Sequence, residues 1–180
     1  MFASHSIPSL LGTAGSALLG FSLVFLPVGA YAADLEAADQ LRWTGKYAEA
    51  EEIYLSQKDG WPVEAVLGLA RCHAARGKYD EAEHALNEAA DSQATVAVLR
   101  SELAVLAFRR GDYEAAGRHA DASLSLDDDQ FAARWIVAEL HRVSGRLEEA
   151  EKAYRWFVEY PTPADQIDEP ESLMWIGRAT

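Results

Sequence analysis

Cysteine is nearly absent: Cys72 is the only one in 180 residues. That excludes an internal disulfide, and a structural zinc site would have to gather its ligands elsewhere. Basic residues are also scarce, with 16 Lys and Arg against 29 Asp and Glu, for a formal charge of −13. Such a surface repels phosphate backbones and anionic head groups. It argues against a nucleic-acid or lipid-surface partner and favours a protein with a basic patch. Reactive motifs are missing too. There is no Gly-rich phosphate loop and no Ser–His–Asp or Cys–His arrangement with local support. Asp127-Asp128-Asp129 and Glu148-Glu149 lack the spacing of an EF-hand loop and read as a solvated linker and helix face. His84 and His119 lack the carboxylate–histidine spacing of a metal protease. His73 and His141 read as half-buried ring fillers. No cofactor or metal is expected, and no catalysis.

Charge is missing altogether from Ser6 to Ala33. Within that stretch Leu10 to Leu26 is an apolar run, Pro27 breaks it, and Ala30-Tyr31-Ala32 places small residues where a signal peptidase reads them. Residues 1–32 therefore have the layout of a secretory signal peptide, with cleavage expected between Ala32 and Ala33. The alternative is an uncleaved membrane anchor over residues 6–33, a length that spans a bilayer. Either way the remainder is expected outside the cytoplasm, in a bacterial periplasm or cell envelope.

What the chain does have is an internal period. Gly45-Lys46-Tyr47, Gly77-Lys78-Tyr79, Gly111-Asp112-Tyr113 and Gly145-Arg146-Leu147 line up, with glycines 32, 34 and 34 residues apart. Five residues after each glycine stands Ala50, Ala82, Ala116 or Ala150; seven before stands Ala38, Ala70, Ala104 or Ala138. Each glycine ends an apolar helical stretch where the chain must turn with positive φ. The alanine columns let paired helices approach closely, and larger residues there would overpack the contact. Nine residues past the glycines, Tyr54, Leu86, Ala120 and Tyr154 are expected to face the neighbouring unit. The pattern predicts helix pairs at about 34–44 with 47–57, 63–76 with 79–91, 94–110 with 113–125, and 130–144 with 147–159. Asp128 or Asp129 is expected to cap the fourth unit's first helix.

The 34-residue period, the Gly-x-Tyr turn, and the Ala followed by an aromatic four residues on resemble the tetratricopeptide repeat. The resemblance covers residues 33–160 as four units, about 34–61, 62–93, 94–127 and 128–161. It implies an all-α right-handed superhelix of stacked antiparallel helix pairs, with first helices lining a concave face. On that register the face includes Leu35, Asp39, Arg42, Leu67, Arg71, Val105, Phe108, Arg109, Trp135, Glu139 and Arg142. Two readings of it stand. It is a groove for a peptide or protein segment anchored by Phe108 and Trp135, or those rings pack between units and the arginines pair with nearby carboxylates. The Lys and Asn positions of repeats that clamp acidic chaperone tails hold Leu35, Asp39, Gly68, Ser101 and Glu102 here, so that clamp is not expected. Ala120 and Gly117 depart from the pattern.

Residues 161–170 form a Pro-containing linker. Residues 171–180, with Leu173-Met174-Trp175-Ile176-Gly177, read as an incomplete further repeat or a capping helix, with an exposed Trp175 end through which copies could associate. The expected function is an exported interaction scaffold. The alternatives are the repeat section of a larger exported enzyme and a structural envelope protein.

Overall fold

The structure, a computed structural model, describes residues 28–57, 63–93, 96–160, 174–175 and 177–178. Eight α-helices run through the described residues: α1 (Val28–Trp43), α2 (Tyr47–Ser56), α3 (Val63–Ala75), α4 (Tyr79–Ser92), α5 (Ala97–Arg110), α6 (Tyr113–Leu126), α7 (Phe131–Val143) and α8 (Leu147–Glu159). No strand occurs among them.

Each helix pair turns in the same way. Gly45, Gly77, Gly111 and Gly145 have φ between 76° and 80°. The glycine N–H donates to the carbonyl three residues back, as in Gly111 to Phe108 at 3.0 Å. The next N–H reaches five back, as in Asp112 to Ala107 at 3.0 Å and Lys46 to Leu41 at 2.9 Å. This double closure satisfies carbonyls that a helix end otherwise leaves open. A Cβ added at these four glycines would meet nothing within 4 Å, so glycine is needed there for its left-handed backbone alone.

The alanine columns lie at the helix crossings. Ala38, Ala50, Ala82, Ala104, Ala116 and Ala138 are completely buried, and Ala70 and Ala150 nearly so. First helices touch one another in the order α1–α3–α5–α7, while each second helix contacts the first helix of its own unit and of the next. That arrangement puts α1, α3, α5 and α7 on the inner wall of the superhelix. The core is correspondingly modular. One buried cluster joins units one and two around Tyr54, Leu69 and Cys72. A second joins units two and three around Leu86, Leu99 and Leu103, and a third joins units three and four around Ile136 and Phe157.

Three local expectations are corrected. Helix α1 begins at Val28 and not near 34, so the described helix runs through the Ala32–Ala33 bond. Residues 1–27, which hold most of the expected export segment, lie outside the described residues, as does the linker 161–170. Helix α7 is capped neither by Asp128 nor by Asp129. Its N-cap is Gln130, without a side-chain bond, because Asp128 turns its carboxylate and its carbonyl to Arg134. Trp175 is not an exposed end: it is 5% accessible and belongs to the third cluster.

Candidate partner-binding groove

The inner face holds two cavities. One, of about 470 Å³, lies at the C-terminal ends of α1, α3 and α5, where Arg42, Trp43, Arg71, Val105, Arg109 and Trp175 line it. The other, of about 640 Å³, opens at the N-terminal ends of α3, α5 and α7 and is lined by Asp39, Leu67, Arg71, Glu102 and Trp175, among others. Arg71, Glu102 and Trp175 line both, so they form the partition between them.

The structure thus brings together Arg42, Leu67, Arg71, Val105 and Arg109 from the sequence-derived groove. Leu35, Phe108, Trp135 and Arg142 do not line either cavity. Leu35 packs on the cluster between units one and two. Phe108 and Trp135 stack edge to face with centroids 5.9 Å apart, and Phe108 also meets Tyr113 at 5.3 Å. Such pairs gain from ring quadrupoles as well as from burial, so the two aromatics join units three and four instead of standing open. Arg142 is half exposed and held by Glu139.

The arginines are mostly neutralised. Arg42 donates from Nε and Nη2 to the Asp39 carboxylate at 3.2 and 3.0 Å. The Tyr54 hydroxyl donates to the same oxygen at 2.7 Å. The same carboxylate–arginine–tyrosine group recurs in unit four, where Arg142 and Tyr154 both donate to Glu139. Burial and the bond to the carboxylate push the Tyr154 phenol up to about 12, and Tyr54 moves in the same direction for the same two reasons. Burial alone would raise Glu139, but the bonds from Arg142 and Tyr154 outweigh it and hold the carboxyl below its ordinary value. Tyr54, Tyr154 and Glu139 therefore stay in one protonation state near neutrality, and in units one and four the bonds tie the first helix to its own second helix. Arg71 reaches across units, donating from Nε to Glu102 at 2.9 Å. Arg109 is exposed on the wall of the smaller cavity and has no hydrogen-bond or ion-pair partner among the described residues.

Groups capable of chemistry are muted. Cys72 is fully buried, and burial pushes its thiol up to about 11, which leaves it protonated and unreactive. No group of three or more His, Cys, Asp or Glu that could hold a metal occurs among the described residues. His73 Nδ1 lies 3.7 Å from Glu51 without a hydrogen bond, and burial lowers its affinity for a proton despite that carboxylate. His119 is lowered by burial and by Arg100 and Arg118. Both histidines therefore bind more protons unfolded than folded, so stability is full above the ordinary histidine value and falls as pH drops through it. Urea midpoints are expected to decrease from pH 7.5 to pH 5.5, and a His73→Phe, His119→Gln variant should lose most of that slope. An unchanged slope would show that other groups govern it.

Sequence reasoning missed Trp43, Met174 and Trp175 as groove residues. Trp43 ends α1, outside the repeat-defining positions, and nothing local to Met174 and Trp175 says that they return to the inner face.

Comparison with known proteins agrees with this geometry. Two family models, both described as tetratricopeptide repeat, match residues 44–103 and 101–162. Together they span well over half of the chain, and the chain belongs to the tetratricopeptide repeat family. Among curated proteins no match is found. Among solved structures, the type III secretion translocator chaperone SycD of Yersinia enterocolitica is similar with a TM-score of 0.57 at 18% identity, over 68% of this chain and 89% of that one. PcrH in complex with the chaperone binding region of PopD gives 0.57 at 20% identity, over 69% and 98%; the PcrH of Pseudomonas aeruginosa gives 0.55 at 19%, over 69% and 94%. MamA gives 0.54 at 19%, over 83% and 80%. At these identities the likeness is one of fold.

Proposed function

We propose that this protein is a non-enzymatic interaction module that holds a segment of another protein in its concave groove. The observation that carries the reading is the pair of cavities on the inner wall, flanked by apolar side chains and by Arg109, a cation with no partner among the described residues. A protein segment can bury its apolar side chains there while its backbone and charges stay at the rim. PcrH, a similar fold solved in complex with the chaperone binding region of PopD, supports this use of the architecture. We further propose that the module is exported to the periplasm or cell envelope, on the strength of the uncharged stretch from Ser6 to Ala33 and its small residues at positions 30 and 32. Among the described residues no helix is long and apolar enough to cross a membrane.

The test is affinity capture from the envelope fraction with the full chain and with a Trp43→Ala, Arg109→Glu variant. Trp43 is 51% accessible and Arg109 is exposed, so neither change disturbs the core. The variant is expected to recover its partner at least tenfold less well, with an unchanged far-UV spectrum. Equal recovery by both forms would remove the groove from the function.

A further inference from the structure

The groove already has an occupant. Trp175 lies with its ring 5.0 Å from that of Trp135 and is almost completely buried, on the wall of both cavities. Met174 lines the smaller cavity beside it. Residues 174–175 and 177–178 are helical, and Arg178 comes to the same aromatic pair as Trp175. The Arg178 guanidinium sits 4.9 Å from the Trp175 ring and 5.7 Å from the Trp135 ring, a cation over two aromatic faces. So the C-terminal turn enters the groove as a ligand would, with one aromatic anchor and one basic side chain.

The fit is incomplete in a way that favours exchange. The Trp135 indole N–H is buried and finds no acceptor among the described residues. Buried donors normally have partners, and a competing segment that brought a carbonyl or carboxylate to this point would gain that bond. The charges around the anchor are also uneven. Cancelling the Arg42–Asp39 and Arg71–Glu102 pairs leaves the larger cavity with Glu64, Asp127 and Asp129, none of which has a cationic partner among the described residues. The same operation leaves the smaller cavity with Arg109. An acidic pocket therefore adjoins the Trp175 seat, on a chain whose overall charge is −13.

Resting on the reading that the concave face holds a protein segment, we infer that the Trp175 seat is the anchor subsite of that groove. In the resting protein this chain's own C-terminal turn fills it. The partner is a segment that offers an aromatic residue to the same seat, with cations over Glu64, Asp127 and Asp129 in the larger cavity and a carbonyl or carboxylate towards Arg109 in the smaller one. Because the internal turn is tethered, it competes at an effective concentration near the millimolar range. A partner must exceed that, so the turn sets a threshold that weak, nonspecific apolar segments do not pass.

The test uses the full chain and a fluorescein-labelled peptide with the sequence of residues 172–180. Fluorescence polarisation is expected to show at least tenfold tighter binding to Trp175→Ala protein than to wild type, because the seat is then open. Arg178→Glu protein, altered at an exposed side chain, should give an intermediate gain and guards against a folding defect in the first variant. A peptide with alanine at the tryptophan position should lose binding more than tenfold. A version of the peptide with two lysines added before residue 172 should bind Trp175→Ala protein more tightly than the unextended one, and Asp127→Asn, Asp129→Asn changes in that background should remove the gain and its salt dependence. Equal binding by wild type and Trp175→Ala overturns the inference while leaving a peptide-binding groove in place. No binding to any form overturns the anchor subsite, and the capture experiment above then decides separately whether the groove serves a partner of other chemistry.

Discussion

Gly68→Ala is expected to destabilise the wild-type protein by about 1–3 kcal/mol, and to be neutral or stabilising by up to about 1 kcal/mol in a Tyr54→Leu background. Glycine in the middle of α3 is at first sight a defect, since alanine is the better helix former. The packing reverses the sign. A Cβ at position 68 would lie 2.2 Å from Cζ and 2.3 Å from Cε1 of Tyr54, far inside contact distance. Tyr54 cannot simply swing away, because its ring is 2% accessible and its hydroxyl is held by Asp39 at 2.7 Å. The Tyr54 ring of α2 therefore lies against the bare backbone of α3 at Gly68 and joins units one and two. Leucine at position 54 gives up the hydroxyl and clears the space, after which only the helix preference of alanine remains. Urea unfolding of the four proteins in a double-mutant cycle measures the coupling. Equal costs in both backgrounds would mean that Gly68 serves some purpose other than admitting Tyr54.

Ile136→Ala should cost more, towards the upper end of about 2–5 kcal/mol. Ile136 is completely buried, in a cluster whose neighbours include Ala104, Ala116, Ala120, Ala132 and Ala133. Those side chains are too short to move into the space that the lost methyls leave, so the cavity stays open and its cost is retained. Thermal or urea unfolding followed by circular dichroism checks it. A loss below about 1 kcal/mol would require the α5–α7 contact to collapse, contrary to a close-packed alanine wall.

These two sites are the same slot in different units. Tyr54 stands nine residues after Gly45, and Gly68 stands nine before Gly77. Ala120 and Ile136 occupy the equivalent places around Gly111 and Gly145. Between units one and two the large residue comes from the second helix and the small one from the next first helix. Between units three and four the order is reversed, and both residues are buried in one cluster. Ala120, a departure from the repeat pattern when its helix is read alone, is the small half of a complementary pair. Gly117 has no such reason: a Cβ there would meet Leu140 at an ordinary 3.6 Å. Nothing in its packing requires glycine.

The amino-acid sequence by itself determined the repeat, the turns and the close helix crossings. All three depend on neighbours a few positions apart: a glycine that can take φ near +80°, a carbonyl three or five residues back, and an alanine at a set distance from the turn. Such rules act within one helix pair and repeat with the period, so four copies show them together. Tertiary structure alone decided which residues face the groove. Phe108 and Trp135 share the register of a concave surface, yet they close on each other because the curvature between units three and four brings their rings within 5.9 Å. Arg71 could have stood free, but the next unit presents Glu102 to it. Trp175 reads locally as the start of another repeat or a cap. It is seated against Trp135, forty positions earlier in the chain, because the inner wall offers an aromatic surface that a short apolar turn can cover and that water would otherwise touch.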